Sequence, residues 1–166
     1  MWALAVACLA PQVQAQAAPD SLVLPLDSER QLFIYDRLYQ HDNHHRMAFF
    51  LRAAKFVGKT KALRNVLSFE RVVTDSTLIY ARGFLSPTLD EVKVHITYRV
   101  RMEFGFDYYR LMVYDLRMDG HHFEDIYFYK GGFTHFFRQV MFKVFTLTHN
   151  HIEGVLNTLD DTLRKL

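Results

Sequence analysis

Cysteine is almost missing from this chain: Cys8 is the only one among 166 residues. A single thiol cannot close an intramolecular disulfide, so the fold must hold by packing and hydrogen bonding. Glycine is sparse too. The seven present are scattered, with no phosphate-cradling run among them. No Gly-x-Ser-x-Gly elbow, no His-Glu-x-x-His pair and no cysteine pair occurs. That removes the best-known hydrolase elbow, the zinc-protease helix and the cysteine zinc cluster. Excess charge of one sign is also lacking. A formal net charge of +2 is too small to argue for nucleic acid or an anionic membrane as partner. The apolar run Trp2 to Leu9 is far too short to span a bilayer, so no transmembrane segment is expected.

What the chain does have is alternation. From Val92 to Phe104, apolar Val92, Val94, Ile96, Tyr98, Val100, Met102 and Phe104 interleave with polar Lys93, His95, Thr97, Arg99, Arg101 and Glu103. A period of two predicts a long strand with one buried and one wet face. One-sided burial implies an antiparallel sheet. Fifteen Phe and nine Tyr favour strands as well.

Other segments fall around that strand. Leu22 to Leu26, broken by Pro25, reads as an edge or extended arm, Asp27 to Arg30 as a turn, and Gln31 to Tyr39 as a strand. Asp42 or Asn43 can cap a helix over His44 to Val57, with Met47, Phe50, Leu51, Ala54 and Val57 on its apolar face and Gly58 as its stop. Asn65 to Val73, Thr77 to Leu85 and Tyr108 to Met118 read as strands. Asp119-Gly120 signals a hairpin into a short strand over His121 to Tyr129. Thr134 to Thr148 and Ile152 to Leu166 have helical spacing, with Asn150 as a break between them. The expected fold is α+β: an antiparallel sheet of about five to six strands with two helices packed on one face.

The first seventeen residues carry no charged side chain. An apolar run, Pro11 and the small residues of Ala15-Gln16-Ala17 predict a signal peptide cut after Ala17, leaving 18–166 as one exported domain without thiol chemistry. Periplasmic or secreted location follows from that expectation. Lipidation at Cys8 is the alternative.

Several short pieces carry a resemblance. They are Leu24-Pro25-Leu26-Asp27, Phe33-Ile34-Tyr35, the helix ending near Lys55-Phe56, Asn65-Val66-Leu67, Arg82-Gly83-Phe84 and Phe106-Asp107-Tyr108-Tyr109-Arg110. Together they resemble an uncharacterised secreted family of Bacteroidetes with a TATA-binding-protein-like (TBP-like) fold, over residues 22 to 166. Phe50 stands where that pattern usually has a Trp. The resemblance implies a β-α-β-β-β-β-α order and a location outside the cytoplasm. It implies no activity and no catalytic residues.

Three clusters are candidates for chemistry. His41, His44 and His45 with Asp42 could converge on a metal, but His41 precedes the helix cap, and no specific metal or cofactor is expected. Asp119, His121, His122 and Glu124, beside Asp115 and Asp125, could supply a base and a carboxylate for a small periplasmic hydrolase or metal-dependent enzyme. Solvated charges flanking a turn are the plainer account. Lys55, Lys59, Lys61 and Arg64 either form an anion site or complement a helix C-terminus. The favoured candidate is the wet strand face of Lys93, His95, Arg99, Arg101 and Glu103, with Tyr108, Tyr114 and Tyr127 adding aromatic area. It predicts a non-catalytic module that binds a protein, glycan or peptide partner through the sheet face or a helix–sheet cleft, with no nucleic acid.

Overall fold

The computed structural model describes residues 24–41, 45–63, 65–72, 76–129 and 135–165, with backbone alone for 65–72, 76 and 135–136. The expected signal segment with Cys8 and Ala17, the caps Asp42 and Asn43, and His44 and Arg64 lie outside them.

The element order is β1 (Leu26–Asp27), β2 (Leu32–Phe33), β3 (Tyr35–Gln40), α1 (Arg46–Lys59), β4 (Asn65–Val72), β5 (Ser76–Leu85), β6 (Thr88–Leu89), β7 (Val92–Lys93), β8 (Ile96–Phe104), β9 (Tyr108–Met118), β10 (His121–His122), α2 (Phe123–Tyr127) and α3 (His135–Arg164). One antiparallel sheet of six strands runs β10-β9-β8-β5-β4, with β3 also paired to β9. The fold is thus α+β, as the alternation and helical spacing predict. No helix among the described residues is long and apolar enough to cross a membrane.

The alternation of β8 is real and its inward row is dry. Ile96, Tyr98, Val100, Met102 and Phe104 are each at most 1% exposed. They meet Tyr109, Leu111, Val113 and Leu116 of β9, Ile79 and Ala81 of β5, and a stripe along α3 formed by Met141, Val144, Phe145, Ile152, Leu156, Leu159 and Leu163. Both α1 and α3 lie on this face. The stripe continues past Asn150, so α3 is one helix and not two. Asn costs well under 1 kcal/mol within a helix, too little to break one whose packed face continues on both sides.

Five other expectations are corrected. The strand over Val92 to Phe104 is interrupted: Val94 N donates to Pro87 O (3.0 Å) and His95 N to Asp119 Oδ1 (3.1 Å), so β7 leaves the sheet and pairs with β6 across Asp90 and Glu91, both at positive φ. The first strand breaks similarly where Ile34 N donates to Pro25 O. Helix α1 buries Phe49, Ala53 and Val57 while Met47 and Leu51 stay exposed, so its core face is turned from the expected one. It also runs through Gly58 and closes at Thr60, whose N and Oγ1 both donate to Phe56 O. Lastly, only His121–His122 returns as strand. Glu124 and Asp125 then open α2, where acidic side chains complement the helix dipole.

Turn chemistry holds where a side chain fixes it. Asp27 Oδ1 accepts from Glu29 N and Arg30 N, each at 3.1 Å, and closes the β1–β2 turn. Asp119 and Gly120, both at positive φ, make the two-residue hairpin into β10.

Tyrosines tie the sheet to α3. Tyr35 Oη lies 3.0 Å from His149 Nδ1, Tyr98 Oη 2.9 Å from His151 Nε2, and Tyr109 Oη donates to Asp160. Each ring fills core volume while its hydroxyl finds a partner on the helix. Burial pushes the Tyr98 phenol up and the His151 imidazole down.

Two predictions follow from this packing. Gly83 pairs with Tyr98 across β5 and β8, and a Cβ there would fall within the Tyr98 ring. Gly83→Ala should therefore lose about 1–3 kcal/mol in urea unfolding; a neutral result would show that the ring can move aside. The second concerns pH. Folded His151 holds its proton more weakly than the unfolded residue. Above about pH 6.5 both states are neutral and stability is at its full value. Below that pH the unfolded state protonates first, and stability declines. His151→Gln should flatten the decline in urea midpoint between about pH 7.5 and pH 5.5; an unchanged slope would assign it to other groups.

Candidate functional site

The outward face of the sheet is built in rungs. Phe84, Thr97 and Arg117 align across β5, β8 and β9, then Arg82, Arg99 and Tyr114, then Tyr80, Arg101 and Met112. Asp36 of β3 lies beyond Met112. Its carboxylate accepts from Arg110, and that bond holds it below the usual carboxylate range.

A bulge organises this face. Between the Thr97–Arg117 and Arg99–Tyr114 pairs, β9 carries one more residue than β8. Asp115 absorbs it at φ 55°, a left-handed conformation that Asp tolerates better than most side chains. Inward burial runs Tyr109, Leu111, Val113 and then resumes at Leu116, one residue late. Asp115 Oδ2 lies 2.9 Å from Arg99 Nε. Its Oδ1 lies 2.9 Å from Arg117 Nε and 3.3 Å from His122 Nδ1. One carboxylate thus joins three cationic or ionisable side chains from three strands.

Beside it opens a cavity of about 460 Å³, lined by Leu32, Phe33 and Ile34 on one wall and Tyr80, Arg101, Met112 and Tyr114 on another, with Asp115, His122 and Glu124. Glu124 is 9% exposed. Its Oε1 accepts from Phe33 N at 2.7 Å, while its Oε2 has no partner. Arg101 donates through Nη2 to Glu103 Oε2 at 3.0 Å, and its buried Nε is also unpartnered. Such groups are costly to leave unsatisfied.

The sequence candidates are dispersed in part. His122 and Glu124 line the cavity. Asp119 instead accepts from His95 N, and His121 stands on the strand position next to His122, where neighbours point apart. Among the favoured ladder residues, Arg99, Arg101 and Glu103 share the outward face of β8. His95 lies near Ser86, with Nδ1 2.9 Å from its Oγ, and Lys93 belongs to the separate β6–β7 hairpin. Tyr108 donates to Glu103 Oε1 at 2.7 Å, Tyr114 lines the cavity, and Tyr127 packs on Phe33. His41 stacks on Tyr109 and meets Phe49 at a tilt, while His45 is exposed at the start of α1. No group of three or more His, Cys, Asp or Glu side chains placed to hold a metal occurs among the described residues. Tyr80, Arg82 and Arg117 are absent from the sequence candidates. For Arg117 the signal is the phase slip of the apolar pattern between Val113 and Leu116, which marks the bulge; no comparable signal marks Tyr80 or Arg82 on β5.

No family model matches the sequence, and no curated protein matches it. The structure is similar to that of a TBP-like protein from Parabacteroides distasonis, with a TM-score of 0.64 and 13% identity over 86% of this chain and 98% of that one. It is also similar to a DUF4468 family protein from Bacteroides ovatus, with a TM-score of 0.57 and 10% identity over 87% and 92%. The fold is therefore TBP-like, as the resemblance of the short motifs implies.

Glu124→Ala should cost about 1–3 kcal/mol in urea unfolding, because the buried Phe33 N–H loses its acceptor. Glu124→Gln keeps an amide oxygen there and should recover most of that loss. Equal losses for both variants would show that the charge, and not the hydrogen bond, holds β2 to α2.

Proposed function

We propose that this chain is a non-catalytic binding module that seats a peptide segment of a partner protein in the cavity between β2, α2 and the outward sheet face. One observation carries the reading: two buried polar atoms of opposite character, Arg101 Nε and Glu124 Oε2, lack partners in the same cavity. An extended peptide supplies both complements, a carbonyl or carboxylate oxygen for the arginine and an N–H for the glutamate. Tyr80, Tyr114 and Met112 offer apolar contact between these poles, and a cavity of a few hundred Å³ is ordinary for a ligand site. The same proposal includes cleavage behind Ala17 and a periplasmic or secreted location, with a Cys8 lipoprotein as the alternative form.

A second reading, a small hydrolase, rests on the 3.3 Å approach of His122 Nδ1 to Asp115 Oδ1 in that cavity. It keeps His122 and Glu124 from the sequence candidates and replaces Asp119 by Asp115.

Panning a displayed random-peptide library on the immobilised full chain tests the binding proposal. Enriched peptides should bind wild type at least tenfold better than Arg101→Glu, with both proteins giving the same circular dichroism spectrum. No enrichment over a blank surface, or equal binding by the variant, would overturn it. Turnover of an enriched peptide that His122→Ala abolishes would replace it by the hydrolase reading.

A further inference from the structure

A second pocket, of about 260 Å³, lies on the other side of Asp115. It is lined by Arg82, Thr97, Tyr98, Arg99, Asp115 and Arg117. Three guanidiniums face one carboxylate there, which leaves two positive charges without a counter-charge among the described residues. Asp115 meets Arg99 and Arg117 through their Nε atoms. Each guanidinium carries five N–H donors, so both Nη groups of each keep theirs unused in these contacts. Arg82 has no ion pair or hydrogen bond among the described residues, although it stands directly across from Arg99 on the adjoining strand. Like charges in that position oppose each other and cost stability. A sheet face blunted only for solubility would carry both signs interspersed. The neighbouring rungs do so: Arg101 has Glu103, and Arg110 has Asp36.

We propose that Arg82, Arg99 and Arg117 form a binding site for a dianionic phosphate group, with Asp115 holding the guanidiniums of Arg99 and Arg117 in place. The charge of the group decides its class. Two unbalanced positive charges match a phosphate or phosphate monoester, which carries close to two negative charges at neutral pH, better than a carboxylate, which carries one. Guanidinium edges also present paired donors at the spacing of phosphate oxygens. Neither the pocket nor its argument depends on the peptide proposal. The two sites share only Asp115.

Isothermal titration calorimetry of the full chain with inorganic phosphate, at low ionic strength and neutral pH, tests the site. Saturable one-to-one binding is expected. Arg82→Gln should weaken it at least tenfold, while Arg138→Gln, the same substitution on the exposed surface of α3, should leave it within about twofold. Acetate at matched ionic strength should bind at least tenfold more weakly than phosphate. A phosphoserine arm separates the sources: tighter binding than inorganic phosphate assigns the site to a phosphate ester, weaker binding to the free ion. Absence of saturable phosphate binding, equal weakening by Arg138→Gln, or equal affinity for acetate would overturn the proposal.

Discussion

The structure depends on the one-sided burial of β8. Five alternate side chains, from Ile96 to Phe104, are removed from water by α3 on one side and by their own sheet neighbours on the other. Full burial of such side chains is worth about 1.5–3 kcal/mol each. A slip of one residue would bring Thr97, Arg99, Arg101 and Glu103 into the core instead. The same constraint therefore produces the functional surface. The arginines stand together on the outside because the row beside them cannot leave the inside.

The contact between sheet and helix is not purely apolar. Tyr35, Tyr98 and Tyr109 reach across it to His149, His151 and Asp160. A buried hydroxyl without a partner is destabilising, so each pair fixes the rotation and height of α3 along the sheet in a way that leucine contacts alone do not. His149 and His151 thus belong to the packing, while His122, on the outward side, belongs to the cavity. Residue type alone does not separate these roles. The face on which each side chain lies does.

The bulge at Asp115 then divides the outer surface. Without the extra residue, β9 would continue its alternation past Val113 and turn Asp115 inward. With it, Leu116 returns to the core and the carboxylate stays outside among Arg99, Arg117 and His122. Two pockets of different character share this carboxylate. One is amphipathic, with the buried acid Glu124 and the half-buried Arg101. The other sets three arginines around one aspartate. A local change of one residue in strand register thereby creates chemistry that a regular ladder would spread evenly.

Sequence alone determined the elements whose signals are local and periodic. The inward row of β8, the hairpin at Asp119-Gly120, the turn held by Asp27 and the helical stripe through Ile152, Leu156, Leu159 and Leu163 all follow from spacing and side-chain chemistry. These are interactions between near neighbours, and near neighbours are visible in a chain. Tertiary structure decided the rest. It chose which side of α1 is buried, because Phe49 and Met47 are equally apolar and only the position of the sheet selects between them. It carried α3 through Asn150, because the core on both sides outweighs a weak helix former. It drew Lys93 away from Arg99, and Asp119 away from Glu124, through hydrogen bonds to Pro87 and His95. It brought Arg82 beside Arg117, residues on strands that do not touch. Convergence of that kind depends on strand order and register, which are settled by the whole core and not by any stretch of sequence.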